Sequence, residues 1–150
     1  MPAPPPEEHV ERLKAVFARA PVRQTYGMEL SFDDQGRAVV DLPYNPGIDN
    51  AIGGVHGGAF ATLMDYAGWF AAALQYEHWL ATVDLHVQLL QSVEQGPLRA
   101  IGEVVRAGQR LAVAKMEVRA GDGRVVAIGS GTFAVTAVPL SGRRDRGDRQ

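Results

Sequence analysis

"NAIGGVHGGAFATLMDYAGWF", Asn50 to Phe70, is the stretch whose reading decides the fold. Its glycine-rich opening gives way to a run that is apolar on nearly every side of a helix, which places that helix in the middle of a core rather than on its surface. From about Gly57 to Tyr76 the one charged residue is Asp65. A run of about twenty such residues is also long enough to cross a bilayer. Asp65, Thr62, Gln75 and the glycines in it make burial inside a protein the less costly explanation.

Around this helix the chain reads as strands. Downstream, "ATVDLHVQLLQ" alternates Val83, Leu85, Val87 and Leu89 against Thr82, Asp84, His86 and Gln88, the period of a strand with two unlike faces. "LRAIGEVVRAG", "RLAVAKMEVRA" and "RVVAIGSGTFAVTAV" follow, with Gly108-Gln109 and Gly121-Asp122-Gly123 as turns. Upstream, strands over about residues 26–32 and 37–43 flank Asp33-Asp34-Gln35-Gly36, a hairpin turn, and Pro43 and Pro46 end the second. Before them, "EEHVERLKAVFARAP" puts Val10, Leu13, Val16 and Phe17 at helical spacing behind an acidic first turn, with Pro21 closing a short amphipathic lid helix. The expected fold is α+β: an antiparallel sheet of five or six strands around one long buried helix, with a short N-terminal helix. Residues 1–6 read as a disordered lead-in, 7–139 as a single domain and 140–150 as a disordered charged tail.

Composition narrows the function classes. One domain suits 150 residues, and 46% hydrophobic with 21% charged residues is ordinary for a globular chain. A formal net charge of −2 gives no electrostatic reason to expect nucleic acid. The chain has no cysteine, which excludes disulfides, thiolate metal sites and a cysteine nucleophile. "MPAPPPEEHVERLK" has prolines and charges where a signal peptide needs an apolar core, so a cytoplasmic protein is expected, with no membrane partner. His56, His78, Asp84 and His86 have no recognisable metal-ligand spacing, and neither metal nor cofactor is expected. Asp84 and His86 read as residues of a strand face at a subunit interface.

Two features of the opening stretch carry chemistry. At "GGVHGG" small residues sit where the helix begins, so amides of its first turn, not yet hydrogen-bonded, can approach a ligand and favour developing negative charge, such as the oxyanion formed at a thioester carbonyl. The same glycines would also serve tight helix–sheet packing. Asp65, among Leu63, Met64, Tyr66, Ala67 and Trp69, loses hydration unless it is paired or used, and water-poor carboxylates make general bases and nucleophiles. A core aspartate bonded to a backbone group is the structural alternative. Gly57 and Asp65 are separated by roughly 12 Å along one helix, at 1.5 Å per residue. They cannot both touch one carbonyl carbon. If they cooperate, the donor comes from one subunit and the carboxylate from another, with two long helices side by side in opposite directions.

The stretch "NAIGGVHGGAFATLMD", with the strand pattern "ATVDLHVQLLQSVEQGPLRAIGEVVRAGQRLAVAKMEV" behind it, resembles hotdog-fold acyl-CoA thioesterases of the phenylacetate-pathway type over about residues 24–138. The resemblance implies a sheet wrapped around one helix, a homodimer at the least and a tetramer as the usual assembly. It implies an acyl-CoA substrate, medium-chain or aryl, hydrolysed without a cofactor. Gly57, helped by Gly58, would present backbone N–H to the thioester oxygen. Asp65 of the partner would activate water or attack directly. Asn50 and His56 would hold the carbonyl or the water, and Thr82 would assist that water. Tyr66 and Trp69 are candidate walls of an acyl tunnel, with core packing as the other use of either ring. Arg106 and Arg110 are candidates for the CoA phosphates, unless they simply solvate a hairpin end. A hotdog dehydratase and a non-catalytic acyl-CoA-binding module are the rival readings. The former uses a different His-containing motif, and the latter has no use for Asp65.

Overall fold

The computed structural model describes residues 5–141; the expected disorder of residues 1–4 and 142–150 therefore lies outside the described residues. Helices α1 (Glu7–Arg19) and α2 (Pro21–Tyr26) lead into strands β1 (Glu29–Phe32) and β2 (Ala38–Leu42). A 3-10 turn at Pro46–Ile48 precedes the long helix α3 (Gly57–Ala73), and the chain continues through β3 (His78–Leu89), β4 (Leu98–Ala107), β5 (Leu111–Ala120) and β6 (Val125–Pro139). All six strands form one antiparallel sheet in the order β1-β2-β4-β5-β6-β3. Helix α3 packs on β2 through β6, which is the hotdog arrangement.

The sheet holds the helix at backbone distance. A methyl group on Gly102 of β4 would lie 2.1 Å from the Ala67 carbonyl oxygen and 2.8 Å from the Gly68 nitrogen of α3. Only glycine permits that approach. Leu63, Met64, Ala67, Phe70, Ala71, Ala72 and Ala73 are buried there against Met116, Val118 and Phe133. Each of the larger side chains contributes about 1.5–3 kcal/mol by leaving water.

Three details depart from the sequence reading. Pro21 does not merely close the first helix: α1 stops at Arg19, and Pro21 opens α2 in a first-turn position where its missing N–H costs nothing. Gly27, at φ 78°, then ends α2, so the strand expected from residue 26 begins at Glu29. The third lies in β3, where Thr82 is opposite Phe133 of β6 and Asp84 opposite Thr132, which leaves Val83 as an extra, bulged residue. The bulge changes which residues share a face. Thr82 joins Leu85, Val87 and Leu89 on the side of α3, whereas strict alternation had set it against them.

Candidate active site

The loop before α3 is closed by its own hydrogen bonds. Asn50 Oδ1 accepts from the N–H groups of Ile52 (3.0 Å) and Gly54 (3.1 Å), and the Asn50 N–H donates to Gly54 O (2.7 Å). Gly53, at φ 86°, supplies the left-handed step this turn needs. An isolated bridge between Asp49 and Val55 and a bond from the His56 N–H to Ile48 O (3.0 Å) tie the loop to the helix start. His56 is the N-cap of α3, and its Nδ1 accepts from the Gly58 N–H at 2.9 Å. That bond assigns the ring proton to Nε2, leaving Nε2–H as an outward donor on an exposed residue. It also occupies the Gly58 amide. The Gly57 N–H has no acceptor among the described residues.

Asp65 lies two turns further along α3, on the strip the sheet leaves uncovered. Gly58, Ala61, Thr62, Asp65 and Tyr66 follow one another on that flank at helical spacing, and none of them is buried, unlike their neighbours Leu63, Met64 and Ala67. Because the bulge turns Thr82 inward, its hydroxyl donates to Asp65 Oδ1 at 2.8 Å. Burial pushes the Asp65 carboxyl above its ordinary range, and the Thr82 hydrogen bond pulls part of the way back. Burial, with the Asp65 charge beside it, raises the Tyr66 phenol and keeps it neutral.

A cavity of about 240 Å³ opens beside this carboxylate, lined by Val16, Phe17 and Ala20, by Asp65, Tyr66, Trp69 and Phe70 of α3, and by residues 79–82 of β3. Apart from Asp65 and Thr82 its walls are apolar or aromatic, so it suits a hydrophobic group whose reactive end meets the carboxylate. Tyr66 and Trp69, named from the sequence, both line it. Trp69 is fixed by its Nε1–H, which donates to Leu80 O at 2.8 Å. The contributions of α1 and of Trp79 were not foreseen. The apolar stripe of the lid helix was visible in the sequence, but nothing local says where that stripe docks.

The other named residues stand apart from this cavity. Arg106 and Arg110, at the β4–β5 hairpin, are exposed and form no ion pair among the described residues. The hairpin is held at the C-terminal end of α3 by Tyr76, whose hydroxyl donates to Gly108 O at 2.7 Å. Asp84 and His86 are exposed on the face of β3 turned away from α3. Among the described residues no three His, Asp or Glu side chains group as metal ligands, and no helix is long and apolar enough to cross a membrane.

The hotdog scaffold that carries this free amide, desolvated carboxylate and apolar cavity is that of a thioester hydrolase, and the comparisons agree. Residues 52–127 match the model of the thioesterase superfamily, and the chain belongs to that family. A provisionally named esterase of Saccharolobus solfataricus is 25% identical over 131 residues, covering 86% of this chain and 94% of its own. The crystal structure of a thioesterase family protein from Silicibacter pomeroyi superposes with a TM-score of 0.79 at 29% identity, covering 84% of this chain and 96% of that one. The E. coli PaaI protein of the phenylacetic acid degradation operon shares the fold, with a TM-score of 0.80 at 20% identity over 88% of this chain and 96% of its own.

Proposed function

We propose that the protein is an acyl-CoA thioesterase whose active sites are built from two subunits, and that it cleaves medium-chain or aryl acyl-CoA to the free acid and CoA. One observation carries the reading: Asp65, desolvated and steadied by Thr82, sits at the apolar cavity, while the unoccupied Gly57 amide is roughly 12 Å away along the same helix. A second chain with its α3 antiparallel to the first brings each Asp65 to the other's Gly57. The flank Gly58, Ala61, Thr62, Asp65 has the small residues such an approach needs. Strand β3, at the sheet edge, leaves twelve residues open on one side, with Val83 and Leu89, and Leu90 just past its end, more than half exposed. An edge this long and apolar favours pairing with another copy.

In this site the acyl group occupies the cavity and the thioester oxygen receives the Gly57 N–H. Asp65 takes a proton from water, whose oxygen attacks the carbonyl carbon. The C–S bond then breaks, the thiolate leaves, and the proton passes from Asp65 to CoA. Direct attack by Asp65 followed by hydrolysis of the anhydride gives the same products. Label found in the Asp65 carboxylate after a single turnover in ¹⁸O-water marks direct attack, with water opening the anhydride at the Asp65 carbonyl. Asn50 shapes the donor end through its loop hydrogen bonds and His56 through its helix cap, with His56 Nε2–H free for the carbonyl or the water. Arg106 and Arg110 receive the CoA phosphates at the solvent edge, and the dimers pair into a tetramer.

The test is thiol release from a panel of acyl-CoAs by wild type and by Asp65→Asn. Hydrolysis by the wild type and its loss in a folded Asp65→Asn variant support the reading. Full activity of that variant, or no hydrolysis of any member by the wild type, overturns it.

A further inference from the structure

We infer that α1 gauges acyl length at this site and that Phe17 is the residue that sets its limit, an inference that rests on the cavity being the acyl pocket. Val16 and Phe17 of α1, with Ala20 at its cap, supply one whole wall of the cavity. The Phe17 ring is 4% exposed and stands edge-on to Tyr66 (5.6 Å between centroids) and to Phe70 (5.5 Å). Phe70 is more than a turn beyond Asp65 on α3, so the ring lies across the direction a chain takes when it runs from the carboxylate towards the helix C-terminus. Its position is fixed from two sides. The Arg23 guanidinium lies 6.0 Å from the ring centroid, and α1 is anchored on the end of α3 by buried His9, whose Nε2–H donates to Ala73 O at 2.9 Å. Glu77, beyond that end, pairs with Arg12 and approaches His9 Nδ1 to 3.2 Å.

A wall held this way gives the cavity a set depth. A chain long enough to reach the Phe17 ring is stopped by it, so the gauge is read by comparing acyl chains of increasing length. Removing the Phe17 ring extends the cavity along the same line, whereas added bulk at Val16 shortens it.

The experiment measures kcat/KM for butanoyl-, octanoyl- and dodecanoyl-CoA with wild type, Phe17→Ala and Val16→Trp. Ratios taken within one variant are unaffected by the fraction that folds. Phe17→Ala is expected to raise the dodecanoyl-to-octanoyl ratio at least tenfold, and Val16→Trp to lower the octanoyl-to-butanoyl ratio by about tenfold, each in line with roughly 10–200-fold per methylene in a fitted pocket. Wild-type ratios in both active variants overturn the gauge and leave the thioesterase reading standing. If the wild type hydrolyses none of the three or any other acyl-CoA, that reading falls and the gauge with it.

Discussion

The two flanks of α3 are built on opposite principles. Where the sheet covers it, the helix offers Leu63, Met64, Ala67 and Phe70, and β4 answers with Gly102, which lets backbone approach backbone. Where the sheet stops, the helix offers Gly58, Ala61, Thr62, Asp65 and Tyr66, none fully buried, and one carboxylate whose burial disfavours its charge. The covered flank holds the domain together, and the open flank bears a cost in stability that the proposed chemistry accounts for. Substitutions on the first should therefore move stability, and those on the second should move rate.

The largest effect expected is from Asp65→Asn, a loss on the order of 10³-fold in kcat, within the range for removing a general base, with the fold intact. Its stability should even rise at neutral pH. Because the folded chain holds the Asp65 proton more tightly than the unfolded chain, ionisation erodes stability as pH climbs from the ordinary 3.8 through the raised value. Below 3.8 both states keep the proton and the penalty is absent. The variant should thus melt above wild type at pH 7 and match it near pH 3, as read by thermal unfolding at both. In the wild type, kcat/KM should fall as acid protonates Asp65, along a limb displaced upward from an ordinary aspartate.

Next comes Gly102→Ala, which drives a methyl into the Ala67 carbonyl and should cost about 3 kcal/mol or more, measured by urea unfolding. A smaller change, about tenfold in kcat/KM, is expected for Thr82→Val, which deletes one hydrogen bond to an ionised group at about 1.5 kcal/mol. Its acid limb should shift to higher pH, since the lost bond favours the charged form. If Thr82→Val alters melting but leaves both rate and pH profile unmoved, the flanks are not divided as described. Least affected should be Arg106→Ala and Arg110→Ala, each raising KM by about threefold at low salt and less at high salt, as expected of exposed cations.

How much of this could be read from the sequence depended on the distance over which each signal acts. Period and composition sufficed for α3 and for the isolation of Asp65, because both are properties of consecutive residues. The helical rise then separated Gly57 from Asp65 without any structure. Period failed at Val83: the bulge is set by pairing with β6, so Thr82 could not be assigned to the helix side by alternation. Pro21 was read as a terminator because proline ends one helix and begins another equally well. The walls supplied by Phe17 and Trp79 were illegible for a different reason, since they exist only after α1 and β3 dock on α3. His56 and Asn50 were named from the sequence as holders of the carbonyl or the water, whereas their bonds to Gly58, Ile52 and Gly54 belong to loop geometry that spacing does not express.

The claim that the open flank functions across two chains is tested most directly by pairing two disabled ones. Gly57 follows the His56 cap, whose ψ of 139° suits a following proline, so Gly57→Pro removes the amide donor at a position where helices accept proline. Gly57→Pro and Asp65→Asn chains are each expected to be inactive alone. Co-expressed with different tags in equal amounts, half of the dimers carry one chain of each kind, and one of their two sites combines an intact amide with an intact carboxylate. Acyl-CoA hydrolysis by the mixture should then return to about a quarter of the wild-type rate. A mixture no more active than its parents, with mixed dimers present by tandem affinity capture, would contradict the account.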